Sequence, residues 1–282
     1  MTGPLVGVDN YSFHRLLGEV RAGERTPEAP TWTWVEALDA AVDAGADVVA
    51  LETCFMTRSE CRTVLEGRGG GRTMISWGHP HGLAYGTSPS AEEEARAWLH
   101  LAAELGHARM RIVIAHPHLR EPGDGWAQAR QAVPVLARLA GEAGRAGVAL
   151  AIENHADVTS EQLAWILREV DSSALGACID TANAVRVGDD AVAAAATLAP
   201  WALVAHVKDI SSGAWHPTSG PTSVPLGEGV IPVGRVVDVI RDVADDCWFL
   251  VELGHLGPGR VDERAMVTRD VAWLRDRLST HP

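Results

Sequence analysis

The sequence predicts an α/β protein, a single (β/α)8 barrel that takes residues 1–282 as one domain. Three observations predict it. A chain of 282 residues is too long for an ordinary two-layer domain and about right for one closed barrel. Short apolar runs rich in β-branched residues alternate with longer amphipathic Ala/Leu/Arg stretches from end to end, the rhythm of parallel βα units. The connections that follow the strand-like runs are long, whereas those leading back into them are short, so the elaborated loops gather on one face.

Strands are expected near 5–9, 47–52, 73–77, 109–114, 148–153, 175–180, 202–207 and 247–252, because each window is an apolar run of strand length. Helices are expected near 33–44, 57–66, 90–105, 125–146, 159–170, 189–198, 232–243 and 262–279. Ser90, Thr159 and Asp189 read as N-terminal caps, since a short side-chain oxygen there can accept the first free amide protons. Gly45, Gly106 and Gly147 fall between a helix and the next strand, where a left-handed residue ends the helix. The segment 210–231 is the longest connection.

Composition narrows the function. Hydrophobic residues make up 46% and charged residues 22%, a globular balance, and the net charge of −13 leaves no basic surface for nucleic acid. The apolar run around Ala191–Ala196 is far below the roughly 20 residues of a membrane span, and no signal peptide is visible at the N-terminus. Cys54, Cys61, Cys178 and Cys247 show no CxxC spacing and read as reduced thiols of a cytoplasmic protein. Of the 24 cationic side chains only Lys208 is a lysine.

Nine of the 12 histidines, His14, His79, His81, His116, His118, His155, His206, His216 and His255, fall at or just beyond expected strand ends. Asp9, Glu52, Glu153, Asp180 and Glu252 each close an apolar run. A carboxylate at the end of a buried strand costs several kcal/mol unless a cation compensates it. For Asp9 and Glu52 a rim arginine is as good a partner as any. Glu153, Asp180, His206 and Glu252 end strands five to eight and so occupy one arc, where their side chains can meet at a point. Three carboxylates and one imidazole suit one divalent metal ion, Mn2+ first, with Mg2+, Co2+ or Zn2+ also accommodated, and leave positions open for substrate.

The segments Ala151-Ile152-Glu153-Asn154-His155, Cys178-Ile179-Asp180-Thr181-Ala182-Asn183, Ala205-His206-Val207-Lys208-Asp209, Pro225-Leu226-Gly227-Glu228-Gly229 and Val251-Glu252 follow an order and spacing that resemble the xylose isomerase-like TIM barrel superfamily, the sugar phosphate isomerases/epimerases. The resemblance implies a mononuclear site on Glu153, Asp180, His206 and Glu252, with Glu153 and Glu252 also acting as an acid/base pair on opposite substrate faces. Relatives with a trinuclear zinc site, the apurinic endonucleases, add histidines where His79 and His116 stand. Asn183 replaces a histidine that many relatives carry, and with the acidic charge it speaks against DNA repair.

The expected chemistry is proton removal beside a metal-polarised ketone by Glu153 or Glu252, giving an enediolate. Returning the proton to the other face epimerises, returning it to the other carbon isomerises, and expelling a β-substituent eliminates. Lys208 and His155 each lie two residues beyond a ligand, so alternation turns both toward the site, Lys208 to stabilise an oxyanion and His155 to shuttle a proton. His79, His116, Asn183 and Trp215 are the expected substrate contacts. Trp201 and Trp248 read as core. Gly227-Glu228-Gly229 is a weak phosphate signal without accompanying arginines. The expectation is a metal-dependent isomerase or epimerase of an unphosphorylated keto-sugar or keto-cyclitol. The alternative is a lyase on the same scaffold, an inosose-type dehydratase or a 3-keto-glycoside or C-glycoside deglycosidase; a non-catalytic sugar-binding barrel ranks below both. The expected partner is the small-molecule sugar or cyclitol, with a homo-oligomer or a second subunit as a further one.

Overall fold

The computed structural model describes residues 4–28, 31–68, 73–123, 125–212 and 221–279. Eight parallel strands close into a barrel: β1 (Val6–Asp9), β2 (Val48–Glu52), β3 (Thr73–Ser76), β4 (Arg109–Val113), β5 (Ala149–Glu153), β6 (Leu175–Asp180), β7 (Ala202–Val207) and β8 (Trp248–Val251), with β8 pairing back onto β1. The helices α1 (Trp34–Asp43), α2 (Arg58–Arg68), α3 (Pro89–Glu104), α4 (Trp126–Ala146), α5 (Ser160–Val170), α6 (Ala191–Leu198), α7 (Val233–Arg241) and α8 (Glu263–Ser279) follow the strands in turn. No helix among the described residues is long and apolar enough to cross a membrane.

Alternation along the strands explains what lies inside. Val48, Ala50, Met74, Ala151, Cys178, Val204 and Leu250 form a small cluster of their own, apart from the large core shared by the barrel and its helices. Two residues further along the same strands stand Glu52, Ser76, Glu153, Asp180, His206 and Glu252, which the two-residue period must turn to the same interior. Thus the barrel has an apolar floor and a polar upper layer. Gly7 belongs to the floor: a Cβ there would collide with the Val48 carbonyl and with Leu250.

Local signals place the helices. Thr33 with Glu36 and Thr159 with Gln162 form capping boxes at α1 and α5. Two expected caps shift. Ser88, not Ser90, caps α3, because Pro89 takes the first helical position, where its missing N–H costs nothing. Asp190, not Asp189, caps α6, while Asp189 accepts the Ser160 amide instead. Gly45, Gly106 and Gly147 adopt φ of +92°, +75° and +73°, the left-handed conformation expected of them. The long connection after β7 begins and ends in a two-stranded antiparallel ribbon, Asp209–Ile210 with Ser223–Val224, too short for pattern to reveal.

Candidate active site

Register brings the strand ends level. Asp180 lies opposite His206, and His206 opposite Leu250, two residues before Glu252. One ligand atom each from Glu153, Asp180, His206 and Glu252 lies within 4.8 Å of the others, and all four residues are buried. The His206 ring is wholly buried, yet neither nitrogen has a well-directed hydrogen bond, although Glu252 Oε2 stands 2.6 Å from Nδ1. Donors that converge without pointing at one another suit a shared cation. Charge agrees: among the described residues, five buried carboxylates, Asp9, Glu52, Glu153, Asp180 and Glu252, have besides the His206 ring only two permanent cations in ion-pair range, Arg111 and Lys208. The residues therefore fit a divalent ion with mixed oxygen and nitrogen ligands.

Lys208 is held between two of the candidate ligands, its Nζ 2.6 Å from Asp180 Oδ2 and 2.7 Å from Glu252 Oε1. Burial opposes its charge, but Asp180 and Glu252 override that and raise its pKa, so the ammonium stays protonated. For Glu252 burial likewise loses, here to Lys208 and His206, and its carboxyl titrates well below the usual range. Asp180 goes the other way: burial outweighs Lys208 and lifts it to about 6.

Arg111 is the member that sequence reasoning missed. From inside β4 it pairs with Glu52 and places Nε 3.2 Å from Glu153 Oε2, while Nη1 donates to the Trp77 carbonyl at 3.0 Å. Burial works against the Glu153 carboxylate, yet the Arg111 guanidinium keeps its pKa below normal. The signal was an arginine on the inward period of an apolar strand, Arg109-Met110-Arg111-Ile112-Val113. For Asp9 the sequence left a rim arginine and a role in the site equally open. It accepts from Ser76 Oγ at 3.1 Å and lies 3.6 Å from His206 Nε2, and burial raises its pKa.

The expected substrate contacts sort differently. Asn183 Nδ2 donates to Glu153 Oε1 at 3.0 Å and to Asp180 Oδ2 at 2.8 Å, so its amide braces two candidate ligands. His155 packs edge-on against His116 with centroids 4.7 Å apart; burial drives its pKa down to about 3, and its buried Nδ1 has no hydrogen-bond partner among the described residues. His79, His81, His118 and His116 continue that row of rings along the rim, starting from buried Trp77, which stacks on His79. Trp215 and His216 lie outside the described residues. Trp248 is half-buried under the Arg109 guanidinium, 4.3 Å from its ring centroid. In the first loop Tyr11 stacks on buried His14, whose Nε2 meets Glu24 Oε1 at 3.0 Å.

The glycine-rich turn is already committed. Gly227 and Gly229 donate their amides to Asp209 Oδ2 at 3.1 and 2.8 Å, and Ile231 donates to Asp209 Oδ1 at 3.0 Å. Those N–H groups are spent internally and are not free for a phosphate.

Comparison with known proteins agrees with this architecture. Solved structures superpose over nearly the whole chain: an L-ribulose 3-epimerase (TM-score 0.71, 16% identity, 99% of this chain and 95% of that one); a xylose isomerase-like TIM barrel protein from Mycobacterium smegmatis in complex with magnesium (0.70, 17%, 99% and 97%); and the probable 3-DHS dehydratase AsbF from Bacillus anthracis (0.67, 17%, 96% and 98%). At such identities the likeness speaks for the fold alone. No curated protein matches the sequence significantly. The family model described as xylose isomerase-like TIM barrel matches residues 38–277, most of the chain and every strand that carries a candidate ligand. The chain therefore belongs to the xylose isomerase-like TIM barrel family.

Proposed function

We propose that the protein is a divalent-metal-dependent isomerase or epimerase of an unphosphorylated keto-sugar or keto-cyclitol. The observation that carries this is the convergence of Glu153, Asp180, His206 and Glu252 within 4.8 Å at the polar end of the barrel. These four residues would hold the ion, Mn2+ first, with Mg2+, Co2+ or Zn2+ compatible with the same donors. Once bound, it would polarise the substrate ketone and acidify the neighbouring C–H.

The chain's own groups do the rest. Glu153 and Glu252 are kept ionised by Arg111 and Lys208, so either carboxylate oxygen can accept the proton and return it. Lys208 Nζ donates to oxygen on the side of Asp180 and Glu252, where negative charge would develop. Asn183 fixes two carboxylates, and the spent amides of Gly227 and Gly229 favour a substrate without phosphate. The four free cysteines fit a reducing cytoplasm.

Elimination is the second reading, favoured by His155. Its neutral ring offers an Nδ1 with no hydrogen-bond partner among the described residues, a third group able to accept a proton, which frees a glutamate to protonate a leaving group. Incubation of metal-loaded protein with a ketose panel in D2O separates the readings. Deuterium incorporation without loss of water supports isomerisation or epimerisation, and an unsaturated or cleaved product supports the lyase. Full activity after chelation would overturn both.

A further inference from the structure

One cation at the mouth has donors to spare. Arg186 ends the short helix Asn183–Arg186 that leaves β6, and its Nη1 donates to Asn183 Oδ1 at 3.1 Å. The amide's orientation is set from its other end, where Nδ2 donates to Glu153 and Asp180 and leaves the oxygen to accept from Arg186. No carboxylate forms an ion pair with Arg186 among the described residues, and its side chain is exposed on the rim. Nearby groups partly desolvate the guanidinium and lower its pKa, while the Asp180 and Glu153 carboxylates attract it and Arg21 from the first loop repels it. Arg21 is itself engaged, 4.8 Å over the Tyr11 ring and 3.7 Å from Glu19. A guanidinium anchored on one edge, with no hydrogen-bond acceptor besides Asn183 Oδ1 among the described residues, offers its remaining N–H groups to an anion.

We propose that Arg186 recognises a carboxylate on the substrate, so that the keto-sugar or keto-cyclitol carries an acid group remote from its ketone. This rests on the keto-sugar reading above. The ketone end would face Glu153, Asp180, His206 and Glu252, and the acid end would reach outward past Asn183 to the rim. Carboxylate fits better than phosphate for two reasons. A planar guanidinium matches the two oxygens of a carboxylate, and the backbone amides that would help hold a phosphate are taken by Asp209.

The test uses 5-keto-D-gluconate and L-sorbose, ketoses identical except that a carboxylate replaces the terminal hydroxymethyl group. Each is titrated calorimetrically into Mn2+-loaded wild type, R186Q and R186K, with the Mn2+ affinity of each protein measured separately. The expected result is a preference of about tenfold or more for the acid in wild type. In R186Q the preference disappears while L-sorbose and Mn2+ affinities hold, and R186K keeps only part of it. Equal affinity for both sugars in wild type overturns the carboxylate subsite and leaves the keto-sugar reading standing. So does a preference that survives in R186Q with Mn2+ affinity reduced, which would make Arg186 a positioning residue for Asn183 only. Binding of neither sugar to the loaded wild type overturns both.

Discussion

Replacing Lys208 with methionine keeps the side chain's length and removes its charge. In the wild type the ammonium bridges Asp180 Oδ2 at 2.6 Å and Glu252 Oε1 at 2.7 Å, and its side chain is 10% exposed. Without it, two buried carboxylates face each other with no shared counter-charge. Breaking a buried pair by deleting one partner costs about 3–5 kcal/mol. For a chain of this size each kcal/mol moves the melting temperature by about 2 °C, so metal-free K208M should melt ~6–10 °C below wild type. Saturating Mn2+ should close most of that gap, since the bound ion resupplies positive charge to the same carboxylates. Turnover should stay low even so, by about 100- to 1,000-fold, because the lost ammonium is also the donor to developing negative charge. Calorimetry with and without Mn2+, metal content and steady-state rates separate the effects. A metal-free variant melting within about 1 °C of wild type would refute the electrostatic argument. A normal rate with metal bound would remove Lys208 from the chemistry.

Further outcomes follow from other residues. H155Q should lose about 100-fold in kcat with Mn2+ affinity unchanged, and an unaltered rate would exclude His155 from proton transfer. His107 is buried and burial lowers its pKa from 6.5 to about 4. The fold thus favours the neutral ring, and its contribution is complete above pH 6.5 and lost as pH falls toward 4, about 3 kcal/mol in all. Urea unfolding of wild type and H107L across that window should show the wild type losing the larger share of stability on acidification; parallel curves would contradict this. In G229A the new Cβ would overlap Asp209 Oδ1 and the Ile210 carbonyl, so the turn's amide bonds to Asp209 should weaken at a cost of about 1–3 kcal/mol, read by chemical denaturation.

The barrel and the four candidate ligands were legible because both are written at period two. An apolar strand that ends in Glu153, Asp180 or His206 announces its inward face and its polar rim together. Arg111 was not legible in the same way. Its partners Glu52 and Glu153 come from β2 and β5, and only barrel closure brings them to one guanidinium. Asn183 was noticed for what it replaces, yet its place between Glu153 and Asp180 depends on carboxylates that β5 and β6 bring together. Ser88 could have been preferred to Ser90, since the Ser-Pro pair is itself a helix-start signal.

Asp209 gathers the amides of Ile210, Gly227, Gly229 and Ile231, and Ser211 donates to the Thr222 carbonyl. Both ends of the longest connection are thereby fastened to the residue next to Lys208. One carboxylate thus works as a clasp, and the ammonium beside it keeps its station because the backbone around Asp209 is tied.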